Sequence, residues 1–293
     1  MRLSDLVACY RLERDVKGST VQQLSCTVSL LSQYLGRPAT LDDLNDDTIN
    51  RWIEWLATTS GKHGRPRKRR TIFNQRNNII LVWNFACESG RLSREPKRVK
   101  RIKLPVTLPV AWTEQQMATW LAACDQIDGF VASCSAPARL VMRAYSLVAW
   151  DTAARACDLL RKLKRSEISA EGALVIVQEK TGYPVLCRLR PETMAAIEEL
   201  CRLSGKDEVF PFRRETLLHH WNKVKAICGL DGTPKKIRKS RATSAEQRDR
   251  GSAPAILGHV PGSTVAYRHY VDRLLILPDP GLPPAIDRRQ DIA

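Results

Sequence analysis

The sequence lacks the cysteine and apolar patterns that define several common protein classes. Its nine cysteines are scattered, with no Cys-x-x-Cys pair, which excludes the usual zinc motifs and disulfide frameworks. Scattered cysteines are typical of a reducing compartment, where they serve as small apolar residues. Residues 1–15 contain no signal-peptide core, and no apolar run approaches the ~20 residues needed to span a bilayer. We therefore expect a cytoplasmic protein with no membrane partner.

Acidic residues are scarce relative to basic ones. The 293 residues include 47 Lys or Arg but 31 Asp or Glu, which gives a net charge of +16 and a pI near 9.7. An excess of this size concentrates polyanions around a protein, so nucleic acid is the leading partner. An ordinary basic protein is the alternative at this point. With 43% hydrophobic residues, the chain can bury a substantial core in one large domain or two.

Residues 1–95 are predicted to form helices separated by short polar turns. Apolar residues recur at three- and four-residue intervals in VQQLSCTVSLLSQYL, with Ser19 or Thr20 as the N-cap. A second helix, DDTINRWIEWLATTS, follows a cap in the Leu-Asp-Asp sequence at 41–43. A third helix, TIFNQRNNIILVWNFACESG, ends at Gly90.

A strongly basic segment, KHGRPRKRR at 62–70, precedes the third helix and has six Lys or Arg in nine positions. Cations in a loop, followed by amide side chains in the first turns of a helix, suit phosphate and base-edge contacts with DNA. A solvated loop or a localisation signal is the alternative. The predicted DNA-binding residues are Lys62, Arg65, Arg67, Lys68, Arg69, Arg70, Asn74, Gln75 and Arg76.

A change in composition after the third helix divides the chain. Residues 91–110 hold seven basic residues and three prolines without helical periodicity, so we place a basic linker at 96–110. A mixed domain at 111–277 and a C-terminal tail at 278–293 follow. In this second domain, Thr113 and Gln116 form a predicted capping box, and 138–164 is predicted to be helical. The sequence ALVIVQEKTGYPVLCRL is predicted to be a hairpin with Lys180 at its turn.

Several basic residues of this second domain are ordinary when each is taken alone. Arg155 lies among small residues, free to project into a cleft, but when it is taken alone a surface pair with Asp158 at i+3 is the favoured explanation. Lys180 has the position of a solvated turn lysine. Lys235 and Arg238 share a helical face at i and i+3, as residues of a solvated basic face also do.

The order of these residues is more informative than any one of them. An Arg in T-A-A-R-A-C-D-L, a hairpin Lys, K-x-x-R at 235–238, L-G-H at 257–259 and then a Tyr follow one another. In this order the chain resembles the tyrosine recombinase (phage integrase) family. The resemblance implies a mostly α fold with a small β-sheet (α+β). It also implies a helical, SAM-like core-binding domain at 1–95 and a catalytic domain at 111–277.

The resemblance also implies residue roles and a reaction. Arg155 and Arg238 match the two active-site arginines, Lys180 the hairpin lysine and His259 the histidine after Leu-Gly, while Lys235 replaces the usual His of the H-x-x-R box. A charged Lys at that position neutralises phosphate but is a poor base. The implied enzyme cleaves double-stranded DNA through a 3′-phosphotyrosyl intermediate and rejoins it, as a homotetramer at synapsis. It needs no metal and no cofactor, in keeping with the absence of a clustered carboxylate motif.

Two tyrosines compete for the role of nucleophile. Tyr267 lies eight residues beyond His259 and Tyr270 eleven, and neither has the family's usual spacing. The Pro-Gly pair at 261–262 indicates a lengthened turn, which moves the nucleophile to a later position. The ending V-x-x-R-H-Y also resembles the family's common pattern. Both observations favour Tyr270, with Tyr267 packing beside it one turn earlier.

Two other functions fit the same residues. A type IB topoisomerase-like enzyme uses the same Arg, Lys, His and Tyr chemistry but only relaxes supercoils. A catalytically inactive DNA-binding protein on an integrase scaffold, such as a decayed mobile-element copy, also fits, because Lys235 and the His–Tyr spacing depart from the family pattern. The apolar LLIL segment before the tail is predicted either to dock on a neighbouring protomer or to fold back on its own domain.

Overall fold

A computed structural model of the chain contains two compact units, Met1–Val106 and Thr107–Ala293. The structure describes residues 1–61, 64–260 and 263–277. The predicted DNA-binding residue Lys62, the Pro-Gly pair at 261–262 and the predicted tail at 278–293 lie outside the described residues. None of the helices in the described ranges is both long and apolar enough to cross a bilayer.

Helices build the first unit around an apolar core that includes the fully buried Trp52 and Trp83. They are α1 (Leu3–Glu13), α2 (Gly18–Leu35), α3 (Asp46–Thr58) and α4 (Arg69–Glu88). The core residues of α3 recur at three- and four-residue intervals, which confirms the helical periodicity of the sequence. Gly90 follows α4 with a left-handed φ of 68°, a conformation that glycine adopts without steric cost.

Two predicted helix caps in this unit are wrong. Helix α2 begins at Gly18, so the predicted caps lie within its first turn. Helix α3 is capped by Asn45, whose side chain accepts the backbone N–H of Thr48 at 2.9 Å. The sequence at 41–43 forms a separate 3-10 turn, because the carboxylate of Asp43 accepts the backbone N–H of Thr40 and binds Arg37. These local contacts of Asp43 with Thr40 and Arg37 compete with an extension of α3 towards its N-terminus.

The first part of the predicted linker lies against the first unit. The side chain of Asn50 accepts the backbone N–H of Lys100 at 2.7 Å and donates to the carbonyl of Arg98. The guanidinium of Arg76 donates to the carbonyls of Lys100 and Val99. Polar side chains of α3 and α4 therefore satisfy this extended backbone, which has no strand partner of its own.

The second unit is also mostly helical, with two small antiparallel sheets, and the predicted fold class is confirmed. Its elements are α5 (Glu114–Cys124), β1 (Phe130–Val131), β2 (Ala136–Pro137), α6 (Ala138–Thr152), α7 (Ala156–Leu159), β3 (Ala173–Val177), β4 (Pro184–Arg188), α8 (Pro191–Ser204), α9 (Arg214–Cys228), α10 (Lys235–Arg248), α11 (Ala253–Ile256) and α12 (Val265–His269). Thr113 caps α5 through the predicted capping box with Gln116. Strands β3 and β4 form the predicted hairpin, in a register that pairs Val175 with Leu186.

The predicted helix over 138–164 is interrupted, which is a correction with functional consequences. Helix α6 ends at Thr152, and Ala153 adopts a left-handed φ of 48° before α7 begins. The hydroxyl of Thr152 accepts the backbone N–H of Ala154, and the guanidinium of Arg238 donates to the carbonyl of Ala153. These side chains replace the helical hydrogen bonds that the turn gives up. The break places Arg155 at the start of a new helix instead of on the flank of a long one.

Candidate active site

Arg238 is the buried centre of the candidate site. Helix α10 carries it, and the residue is 2% exposed. Its Nη1 donates to the carbonyl of Ala153 and its Nη2 to the carbonyl of Leu257 at 2.9 Å, while Nε has no partner. Burial, followed by the nearby charge of Arg155, lowers the pKa of Arg238 to about 10. The two carbonyls therefore fix the guanidinium, which remains positively charged at neutral pH and forms no ion pair with a carboxylate among the described residues.

Arg155 lies next to this centre at the start of α7. Its Nη1 donates to Oε1 of Gln178 at 2.6 Å and lies 3.8 Å from the buried carboxylate of Asp158. That carboxylate also accepts the backbone N–H of Arg155 at 3.3 Å and of Glu179 at 2.9 Å. The i,i+3 pair considered from the sequence thus exists, but Asp158 is buried and joins Arg155 to the hairpin. The pair therefore positions the arginine and is not an exposed surface ion pair.

Tyr270 follows α12 and is surrounded by cationic groups. It is 7% exposed. The centroid of its ring lies 4.7 Å from Nζ of Lys235, 5.0 Å from Cζ of Arg238 and 5.6 Å from the ring centroid of His259. Burial raises the pKa of Tyr270, but the positive charges of Arg238 and Lys235 outweigh it, so the net pKa lies below that of an ordinary tyrosine. These surroundings make the phenolate, the more nucleophilic form, easier to reach than in an ordinary tyrosine.

Tyr267 has the opposite environment. Its hydroxyl donates to the carboxylate of Glu246 at 3.2 Å. Glu246 is 4% exposed and also accepts the backbone N–H groups of Gly251 and Ala253. Burial, and then the negative charge of Glu246, raises the pKa of Tyr267. A tyrosine held protonated by a carboxylate is a poor nucleophile. The two tyrosines, three residues apart in sequence, therefore have different chemical environments.

Of the remaining predicted site residues, His259 lies within the cluster and Lys180 lies outside it. Burial, and then the charge of Arg238, lowers the pKa of His259 to about 4, so its imidazole is neutral at pH 7. Its Nδ1 is buried without a hydrogen-bond partner. Lys180, by contrast, is exposed at the β3–β4 turn, and no hydrogen bond or ion pair joins it to the others within the described segments. Its link to the cluster is through Gln178, two residues earlier on the same turn.

Sequence reasoning missed Gln178 and Glu246. The sequence does contain a signal for Gln178, because strand β3 alternates buried Leu174 and Ile176 with exposed valines, and Gln178 continues the buried series. A buried amide at an apolar position needs partners, and its partners here are the candidate catalytic groups. Glu246 has no comparable signal, since it lies on a polar helix with no clear period.

The predicted DNA-binding residues divide into two groups. Three of them are partly buried by contacts within the first unit: Arg67 packs on Trp55 and donates to a backbone carbonyl, Gln75 accepts a hydrogen bond from Thr27, and Arg76 binds the backbone at 99–100. The others in the described ranges have exposed side chains: Arg65, Lys68, Arg69, Arg70 and Asn74. The first group is engaged by the protein itself, whereas the second remains accessible to a ligand, although Arg70 also lies over the ring of Phe73.

Gly258 marks a close approach inside the site, and its replacement is a test of the packing. Its φ is +60°, and an added Cβ would lie 2.3 Å from Cγ2 of Val185 and 2.5 Å from Nε2 of Gln178. Gly205, with a similar φ of +63° and no atom within 4 Å, is the matched control. We expect Gly205→Ala to lower the free energy of unfolding by about 1–2 kcal/mol through strain alone, and Gly258→Ala by a further ~1–3 kcal/mol through overlap. Urea denaturation measures both, and equal losses would contradict the packing.

Comparisons with known proteins identify a domain family and similar folds. Residues 6–102 match the phage integrase SAM-like domain family. A lambda integrase dimer bound to a COC′ core site superposes with a TM-score of 0.71 at 18% identity, over 93% of this chain and 96% of that chain. A lambda integrase tetramer bound to a Holliday junction gives 0.69 at 17% identity, over 92% and 77%. XerH recombinase bound to its difH substrate before cleavage gives 0.66 at 17% identity, over 94% and 83%.

A sequence search of curated proteins finds no match. The family model and the structural matches nevertheless agree with each other. They confirm the resemblance to the tyrosine recombinase (phage integrase) family: residues 6–102 form a phage integrase SAM-like domain, and the chain has the integrase fold.

Proposed function

We propose that this chain, with its integrase SAM-like domain and integrase fold, is a site-specific tyrosine recombinase that cleaves and rejoins double-stranded DNA. The observation that carries the proposal is the environment of Tyr270. A buried tyrosine lies against Lys235, Arg238 and His259, and its pKa is lowered by the surrounding charges. Packing alone does not require cations around a buried tyrosine. A tyrosine in this environment is suited to attack on an anionic phosphodiester.

In the proposed reaction, the hydroxyl oxygen of Tyr270 attacks the scissile phosphorus, and the bond to the 5′-oxygen breaks. The products are a 3′-phosphotyrosyl link and a free 5′-hydroxyl, and the reverse attack restores the diester. Because the ester bond energy is retained in the protein link, rejoining needs no nucleotide cofactor. Neutral His259 accepts the tyrosine proton, and Lys180 donates a proton to the leaving oxygen.

The two arginines stabilise the charge that develops during this reaction. Negative charge accumulates on the non-bridging oxygens of the phosphorane-like transition state, and planar guanidinium forks match pairs of such oxygens. Arg238 is held by two backbone carbonyls and Arg155 by one side-chain amide, so both are oriented before DNA binds. Lys235 adds positive charge above the tyrosine ring and favours its deprotonation.

The proposed partner is duplex DNA, and the proposed active assembly is a tetramer at synapsis. The net charge of +16 and the exposed cations at 65–70 support DNA binding. The structural neighbours include a dimer on a core site and a tetramer on a Holliday junction. Recombination requires the cleavage of more than one strand. Because each chain has one proposed active site, several chains must assemble to cleave them.

The exposed cations give a prediction about salt. Replacement of Arg65, Lys68, Arg69 and Arg70 by Ala should weaken DNA binding at every sequence tested, because phosphate contacts release counterions. The slope of log K against log salt should become shallower by about one unit for each phosphate neutralised by one of these side chains. Fluorescence anisotropy over a salt series measures this slope. Arg51→Ala, an exposed change in the same unit but outside the segment, should leave it unchanged. An unaltered slope in the quadruple variant would argue against the segment as a DNA contact.

Covalent trapping tests the proposed function on many DNA sequences at once. The full chain is incubated with a library of nicked duplexes of randomised sequence, in which the cut releases a short strand and prevents rejoining. Adducts that survive SDS are isolated, and their strands are sequenced. Adducts on one recovered sequence, with strand transfer between two copies of it, would support a recombinase.

The same experiment distinguishes the alternatives. Adducts on unrelated sequences, together with plasmid relaxation and no strand transfer, would indicate a topoisomerase-like enzyme. The absence of any adduct, with DNA binding intact, would indicate an inactive integrase-scaffold protein and would overturn the proposal.

A further inference from the structure

Gln178 occupies a central position among the proposed catalytic groups. It is 2% exposed and lies where strand β3 enters the hairpin turn. Its Oε1 accepts from Nη1 of Arg155 at 2.6 Å, and its Nε2 donates to the carbonyl of Leu257 at 2.7 Å. The same Leu257 carbonyl accepts Nη2 of Arg238 at 2.9 Å. One amide therefore connects both arginines.

The same residue also anchors the turn that carries Lys180. The hydroxyl of Thr181 donates to Oε1 of Gln178 at 3.2 Å, and the backbone carbonyl of Gln178 accepts the N–H of Gly182 at 2.8 Å. Lys180 lies inside this closed turn. The Cβ-free Gly258 allows the amide to reach its position, since a Cβ there would lie 2.5 Å from Nε2.

From these contacts we infer that Gln178 is a positioning residue that sets the orientation of Arg155 and Arg238 for the phosphate. The inference rests on the proposed function and concerns the same site. A neutral amide is suited to this role, because it fixes a guanidinium without cancelling its charge. A carboxylate in the same place would neutralise Arg155 before DNA arrives.

A positioning role and a purely structural role predict different effects on the cleavage rate. If Gln178 acts through the arginines, its replacement should slow cleavage most on a substrate whose transition state carries the negative charge that the arginines stabilise. A scissile methylphosphonate has a methyl group in place of one non-bridging oxygen and carries no formal charge there. Cleavage of this substrate depends much less on correctly oriented guanidinium groups.

The test measures cleavage of both substrates by the whole chain, with each substrate built on the DNA sequence recovered by trapping. Gln178→Met keeps the length of the side chain but removes its three side-chain hydrogen bonds. We expect it to slow adduct formation on the phosphodiester by about 10²-fold, as a small misplacement of catalytic groups does, and on the methylphosphonate by less than about tenfold. Val177→Thr, an exposed change on the preceding residue, should leave both rates unchanged.

A second variant guards against misfolding. Gln178→Glu preserves the size of the side chain and the acceptor for Arg155 but loses the donor to the carbonyl of Leu257, so circular dichroism first verifies that it folds. Its carboxylate should also slow cleavage of the phosphodiester more than that of the methylphosphonate.

Two results would overturn the inference: rates equal to the unmodified protein in both variants, or equal slowing on both substrates. If the unmodified protein itself forms no adduct, the proposed function fails instead, and this control is read first.

Discussion

Tyr270→Phe is expected to abolish the covalent DNA adduct, whereas Tyr267→Phe is expected to retain it. The replacement removes the oxygen atom that is proposed to bond to phosphorus, so the amount of adduct should fall to the detection limit. Tyr267 donates to Glu246 and has a raised pKa, while Tyr270 lies among cations and has a lowered one. Trapping on nicked duplexes followed by denaturing electrophoresis measures both variants.

The two tyrosine variants serve as controls for each other. Tyr267→Phe removes one hydrogen bond to a buried carboxylate, so a loss of about 1–3 kcal/mol in stability is expected without loss of chemistry. DNA binding by anisotropy should be preserved in Tyr270→Phe, which shows that the variant is folded. An adduct that persists in Tyr270→Phe and disappears in Tyr267→Phe would reverse the assignment.

Arg238→Lys should slow adduct formation by at least ~10²-fold, the second largest expected effect. The guanidinium directs two N–H groups at the carbonyls of Ala153 and Leu257 and still has charge and an unpaired Nε. An ammonium group cannot reproduce that fork, so it either satisfies the carbonyls or contacts the phosphate. Single-turnover cleavage of the trapped sequence gives the rate.

A change on the same helix provides the control for this prediction. Arg248 is exposed and pairs with Glu114 at 2.7 Å. Because exposed pairs contribute little, Arg248→Lys should alter neither cleavage nor stability by more than a few tenths of a kcal/mol. Comparable rates for Arg238→Lys and the unmodified protein would remove Arg238 from the proposed machinery.

The sequence predicted those parts of the fold that depend on local patterns. Apolar periodicity identified α2 and α3, the capping box identified the start of α5, and alternation with a Lys-Thr-Gly turn identified the hairpin. Each of these signals lies within a few residues of the structure that it specifies. The resemblance to a family then supplied the order of the site residues.

The missed features depend on partners that are distant in sequence. The break after α6 is stabilised by Arg238, 85 residues later, which no window around Ala153 contains. The contrast between the tyrosines depends on Glu246, 21 residues before Tyr267. Gln75 has the polarity of a DNA-reading residue, yet it is engaged by Thr27 from α2. Tertiary contacts of this kind override local composition.

The carbonyl of Leu257 has a consequence for the order in which the proposed site is assembled. It joins Gln178 on the hairpin, 79 residues earlier, to Arg238, 19 residues earlier. Contacts over such sequence separations close late in folding, after the local helices and the hairpin have formed. A chain emerging from the ribosome therefore cannot assemble the proposed site until residue 257 has been synthesised, after the whole of Met1–Val106.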